Sequence, residues 1–270
     1  MYNLIALDID GTLLNSEKKI TKEVFDSIQK AKLAGKKVVL STGRPLPGVT
    51  PLLKELNLCD DGDFVICFNG AIVQEVKTNR VISNIEMCFD DFKLIHEFSK
   101  KHNTNIHINT PTSLVIPVDK PSKYTVRESQ MCNLDIISMK EEDINDDITF
   151  CKIMVVDEPE ILDEIIKEIP QSLKDKYTVV KSAPFFLEFL NKKAHKGNAL
   201  LALCDSINLP IEETIAVGDE ENDQHMIQVA GLGVAMGNAR QSIKDIANHI
   251  TDTNNNHGVS KVIEEFLLNV

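Results

Sequence analysis

With 270 residues, 43% of them hydrophobic and 26% charged, the chain has the makeup of a folded globular protein, long enough for one large core or two modest ones. A formal net charge of −12 repels a phosphate backbone over most of the surface and argues against nucleic acid as a partner. No apolar stretch reaches the length of a membrane span, the N-terminus lacks the basic lead of a signal peptide, and the six scattered cysteines include no C-x-x-C, so a reduced cytoplasmic protein is expected.

The chain opens on the apolar run Leu4–Leu7, which reads as a strand buried on both faces. It runs straight into Asp8-Ile9-Asp10-Gly11-Thr12. Two carboxylates at the end of a buried strand are costly without a partner, and a cation or a reaction is the expected compensation. A solvated turn capping the strand is the plainer reading. A helix follows from Thr21, with Val24, Ile28 and Ala31 on one face and Gly35 as its stop. The next strand, residues 38–40, leads into Ser41-Thr42-Gly43-Arg44. A hydroxyl beside a glycine N–H makes a good donor pair for a phosphoryl oxygen. Taken alone, a threonine capping a strand-to-helix turn explains the same residues. A helix marked by Val49, Leu52, Leu53 and Leu56, a strand over 64–68 and an Asn69-Gly70 turn complete this part.

From about residue 84 to 190 the pattern changes. Strand-like alternation over 105–108, 114–118, 177–181 and 185–190 accompanies helical stretches at 92–98 and 161–169, broken by several prolines. An inserted α+β unit fits this stretch. The strand–helix rhythm then returns, with strands at 214–217 and 232–235 and helices around Leu200–Ile207 and Met226–Val229. Such alternation argues for a parallel, doubly wound sheet built from residues 1–83 and 191–270, with 84–190 as the insert. Asn254-Asn255-Asn256 reads as a polar loop and nothing more.

Two later positions stand out chemically. Lys196 opens a helix, where a cation opposes the helix dipole unless an anion sits beside it; a solvated surface lysine is the alternative. Gly218-Asp219-Glu220-Glu221-Asn222-Asp223 follows the strand at 214–217. Acidic residues suit a helix start, but Asp219, nearest the strand end, is the expected Mg²⁺ ligand. Ligands of open α/β sheets bind outside the carboxyl ends of the strands, so these groups would gather around Asp8 and Asp10.

In this order, D-x-D-G-T, T-G-R, a lone lysine before a helix and G-D-x-x-N-D, the motifs resemble the haloacid-dehalogenase superfamily of phosphohydrolases. The insert, and stretches such as residues 176–188, resemble the Cof-type branch and its bacterial sugar-phosphatases. The resemblance implies a Rossmann-like core with an inserted α+β cap of type C2B that carries substrate specificity. It implies Asp8 as nucleophile and Asp10 as general acid and base. Mg²⁺ would be held by Asp8, the Asp10 main chain and Asp219, with Asp223 supporting the metal shell. Thr42, Gly43, Lys196, Asn222 and the Ile9 N–H would bind phosphoryl oxygens, with Arg44 and Asn69 at the rim. The expected activity is Mg²⁺-dependent hydrolysis of small phosphomonoesters by a monomer or homodimer. With three tyrosines and no tryptophan, sugar phosphates are favoured over pyridoxal phosphate or flavin mononucleotide. A phosphosugar mutase would share every motif. A phosphorylation switch or a silent sugar-phosphate sensor is remote, because receivers are about half this length and lack the second acid.

Overall fold

Leu4–Leu7 forms strand β1, buried at all four residues because a parallel strand flanks it on each side. This computed structural model describes residues 1–269. The chain first makes β1, α1 (Lys22–Leu33), β2 (Lys37–Ser41), α2 (Leu46–Glu55), β3 (Phe64–Cys67), β4 (Ile72–Glu75) and β5 (Val81–Asn84). Next come α3 (Phe89–Lys101), β6 (Asn105–Asn109), β7 (Ser113–Ile116), α4 (Lys123–Cys132), β8 (Asp135–Ser138), β9 (Lys152–Val156), α5 (Pro159–Ile165), α6 (Gln171–Lys176), β10 (Tyr177–Ala183) and β11 (Phe186–Asn191). The last stretch holds α7 (Lys196–Ser206), β12 (Thr214–Gly218), α8 (Gln224–Val229), β13 (Leu232–Ala235), α9 (Gln241–Lys244), β14 (His249–Ile250) and α10 (Gly258–Val262).

These elements form two units. One comprises Met1–Gly43, Thr50–Asn84 and the chain from His195 onward; the other comprises Arg44–Val49 and Ile85–Ala194. In the first unit the strand order is β14-β13-β12-β1-β2-β3-β4-β5, parallel up to β3 and antiparallel at β4 and β5. Leu7 lies level with Val217 on one side and Leu40 on the other. The residues that follow these three strands therefore emerge together at one edge of the sheet, which is what a doubly wound sheet offers a ligand. Leu4, Ala6, Val39, Ile66 and Ala216 pack with Leu200 and Leu203 of α7 on one face.

In the second unit a six-stranded sheet runs β10-β11-β9-β6-β7-β8, antiparallel except for the β7–β8 pair. Strand alternation sorts its two faces. Ile106, Ile108, Ile153, Val155, Leu187 and Phe189 build an apolar core with Phe92 and Ile95 of α3. His107, Asn109, Lys152 and Glu188, one residue out of step, are buried on the opposite side, where Thr125 and Glu128 of α4 meet them.

The parallel core and the α+β second unit agree with the expected fold class. Several elements carry no expectation from the sequence: β4, β5, α4, β8, β9, α6, α9, β14 and α10. The strand expected over 64–68 ends at Cys67, because Phe68 already has a positive φ of 51°. The helical stretch expected over 161–169 is α5 followed by a tighter turn at Ile166–Glu168. No helix among the described residues is long and apolar enough to cross a membrane.

Candidate active site

The site grows out of the C-terminal ends of β1, β2 and β12 and the start of α7, all in the first unit. Asp8 follows β1 and is 7% exposed; its N–H donates to Val217 O at 3.0 Å, continuing the ladder one residue beyond the strand. Asp219, just past β12, is equally buried, and Asp223 is fully so. Carboxylate oxygens of these three residues lie within 4.8 Å of one another. Lys196, with no exposed surface, reaches Asp8 Oδ1 at 2.5 Å and Asp223 Oδ1 at 2.6 Å.

Burying so much like charge shows in the proton affinities. Burial, against the opposing pull of Lys196 and with the repulsion of Asp223, pushes Asp8 up to about 7. Burial and the charges of Asp223 and Glu220 push Asp219 up to about 6, although the Thr12 hydrogen bond works the other way. Burial alone would pull the Lys196 ammonium down, but Asp223 and Asp8 outweigh it and hold it above the ordinary lysine value.

The acids differ in how they are engaged. Asp223 uses both oxygens: Oδ1 takes Lys196, and Oδ2 takes the N–H groups of Asp219 and Glu220 at 2.9 and 3.1 Å. Donors reach Oδ1 of Asp8, from Lys196, and Oδ1 of Asp219, from the Thr12 hydroxyl at 2.8 Å. Three buried carboxylates against one lysine, with hard oxygen donors, are a donor set that fits a divalent cation such as Mg²⁺. Gly11 belongs to this packing. At φ 89°, a Cβ on it would lie 2.2 Å from Asp219 Oδ2, so no other residue leaves Asp219 in place.

The other sequence-marked residues are placed as follows. Asp10 is exposed and pairs with Lys18 at 2.9 Å, on the loop that leads away from β1. Ile9 is fully buried, and its carbonyl accepts from Leu14 N at 2.9 Å. Thr42 is buried at the end of β2, with its N–H on Ile66 O at 2.9 Å. Gly43 comes next, and Arg44 falls in the second unit. Asn222 is exposed, and its Nδ2 donates to Asn69 Oδ1 at 3.0 Å.

Some residues of the site escape a linear reading. Thr12 holds Asp219. Asn238 Nδ2 donates to Gly11 O, Asn254 Nδ2 to Leu14 O and Asn255 Nδ2 to Ser16 Oγ, each at 2.8 Å, while Asn255 Oδ1 accepts from Ser16 N at 2.9 Å. The run read as a plain polar loop is thus a clamp on the loop that carries Asp10 and Lys18. Its only trace in the sequence is the density of asparagines.

A parallel sheet with buried acids and a buried lysine at its carboxyl edge defines an α/β hydrolytic site of the phosphoryl-transfer type. Residues 5–263 match the family described as haloacid dehalogenase-like hydrolase, and the chain belongs to that family. Among relatives, it is 42% identical over 99% of both chains to YxeH of Bacillus subtilis, whose own name leaves its phosphatase activity open. It is 33% identical to YcsE of the same organism, named a 5-amino-6-(5-phospho-D-ribitylamino)uracil phosphatase, over 98% of this chain and 96% of the relative. A haloacid dehalogenase-like hydrolase from Bacteroides thetaiotaomicron superposes with a TM-score of 0.85 at 30% identity, over 98% of this chain and 99% of the other.

Proposed function

We propose that this hydrolase releases orthophosphate from small phosphomonoesters, in which the phosphate sits on a hydroxyl of a sugar or sugar-alcohol chain. The observation that carries the reading is the buried Asp8–Lys196–Asp223 chain beside Asp219. Lys196 holds one carboxylate oxygen of Asp8, which fixes the direction of the other for in-line attack on phosphorus. The Asp8–phosphorus bond forms as the ester bond breaks, leaving an aspartyl-phosphate. Asp10, on the loop clamped by the asparagines, gives its proton to the departing alkoxide and then takes one from the attacking water. Lys196, Thr42, the N–H groups of Gly43 and Ile9, and Asn222 bind the phosphoryl oxygens, where charge spreads in the transition state. Asp8, Asp219 and the Asp10 main chain would hold Mg²⁺, with Asp223 fixing Lys196 and the loop behind it. Bound there, the ion would neutralise charge between nucleophile and phosphate. The second unit is proposed as the cap that selects the leaving group.

The substrate class leans on composition and on the relatives. YcsE is named for an ester whose phosphate sits on a ribityl chain, an open-chain sugar alcohol. Phosphate release from hexose, pentose and polyol phosphates, pyridoxal phosphate and p-nitrophenyl phosphate tests the reading, with Mg²⁺ and with EDTA. Asp8→Asn is expected to abolish release on every ester while keeping the fold. Normal turnover by a pure Asp8→Asn sample would end the mechanism. A mutase would instead need a sugar bisphosphate and release little orthophosphate.

A further inference from the structure

After β3 the chain takes three consecutive left-handed residues, Phe68 at φ 51°, Asn69 at φ 54° and Gly70 at φ 100°. Glycine enters this region freely and asparagine with little difficulty, but a buried phenylalanine does so only when its surroundings force it. Such outliers gather at functional sites. Reversing the chain from β3 to β4 does not require three of them, so the shape of this turn needs another explanation.

Its neighbours supply one. The Asn69 N–H donates to Thr42 O at 2.9 Å. The Asn69 carboxamide lies against Gly43, where an added Cβ would come within 3.2 Å of Nδ2. Its Oδ1 accepts from Asn222 Nδ2 at 3.0 Å. A Cβ on Gly70 would lie 2.4 Å from the carbonyl carbon and oxygen of His195 and 2.9 Å from Lys196 N, so Gly70 lets the turn rest directly on the start of α7. One short turn therefore touches the loop after β2, the first residues of α7 and the turn after β12. These segments carry Thr42 and Gly43, Lys196, and Asn222.

We propose that Asn69 is a positioning residue for Asn222. Asn222 is exposed, and a lone exposed carboxamide rotates among several orientations. Accepting one N–H of Asn222 fixes the plane of that amide, and so fixes the direction of its second N–H toward the phosphoryl group. The left-handed run holds the Asn69 carboxamide level with Gly43, where it can do this. The inference rests on the phosphatase reading of the site for the role it gives Asn222.

The test is a double-mutant cycle on the full chain with Asn69→Gly, Asn222→Ala and the pair. Glycine keeps the left-handed backbone, so Asn69→Gly removes the carboxamide and little else; Asn222→Ala alters an exposed side chain. Thermal melts check that each variant folds. Two properties are read: orthophosphate affinity by calorimetry in Mg²⁺, and turnover of p-nitrophenyl phosphate and a hexose phosphate. Each single change is expected to cost about tenfold, the size of a hydrogen bond to a charged acceptor. The loss should be equal on both esters, because the phosphoryl group is common to them, and the double variant should be no worse than either single one. A purely structural turn would instead lower the melting temperature and show no coupling to Asn222. Wild-type affinity and turnover in Asn69→Gly, or losses that multiply in the double variant, would overturn the proposal. Wild type that binds orthophosphate with this coupling but hydrolyses no ester would keep the positioning role and remove the hydrolase reading. Wild type that does neither would remove both.

Discussion

Thr12 donates to Asp219 across 207 residues of sequence, and the bond sets which way one carboxylate faces. Groups that orient a metal ligand commonly control metal affinity by 10–100-fold. With Asp219 in its proposed role as a Mg²⁺ ligand, Thr12→Val is expected to raise the Mg²⁺ concentration for half-maximal activity about tenfold, read from metal titrations of phosphate release. The asparagine clamp makes a second residue-scale prediction. Asn254→Ala frees Leu14 O on the loop bearing Asp10 and should lower kcat more for a sugar phosphate than for p-nitrophenyl phosphate, whose leaving group barely needs a proton. Equal losses on both esters would detach the clamp from acid catalysis. Asp8, Asp219 and Lys196 were legible in the sequence through the order of their motifs along the chain, since each charge taken alone has a plainer explanation. The partner of Thr12 and the roles of Asn238, Asn254 and Asn255 were not, because a polar residue in a polar loop has many explanations and only folding shows what each one meets.

Strand β9 shows the same limit one level up. Residues 152–156 are all buried, and Lys152 owes its place to Glu188 and Glu128 at 3.1 and 3.4 Å, partners from β11 and α4. Nothing near Lys152 in the chain announces them, and a run with a lysine at its head and no clean alternation gives no firm strand signal. Lys152→Met would leave two buried carboxylates unpaired and should cost about 3–5 kcal/mol in urea unfolding, and a triple change adding Glu128→Gln and Glu188→Gln should recover much of it. At the start of α3, Asp91 accepts from Cys88 N at 2.9 Å, Tyr177 Oη at 2.6 Å and Lys176 Nζ at 2.6 Å. Burial would push its carboxyl up, but these bonds hold it below its ordinary 3.8. Folding therefore favours the ionised form. The stability it contributes is full above 3.8 and is lost as pH falls through the lower folded value. Asp91→Asn should cost about 1.5–3 kcal/mol at pH 7, and the difference from wild type should shrink in urea titrations below about pH 4.

At the scale of the molecule, each unit has its own buried core, one around Leu4, Val39 and Ala216, the other around Phe92, Ile153 and Phe189. Calorimetry is expected to resolve two unfolding transitions, and Mg²⁺ should raise only the one belonging to the unit that holds Asp8 and Asp219. A single transition that moves as a whole would show the two cores to be coupled. The alternation of strands and helices made the outer halves of the chain readable, since a parallel sheet repeats one pattern. The insert was readable mainly as a change of rhythm, because most of its pairings are antiparallel and its second face is polar.

The order of the pieces along the chain also matters for how the protein is made. Asp8 and Thr42 leave the ribosome early, whereas Lys196 and Asp219 follow only after the whole of Ile85–Ala194 has emerged. Domains tend to fold as units during synthesis, so the insert can fold while β1 still waits for β12. Asp8, the proposed nucleophile, then has no lysine to hold it, and its strand lacks one of its two neighbours. A nascent or prematurely ended chain would thus carry no partial activity, and translation delivers the catalyst only when it is nearly complete.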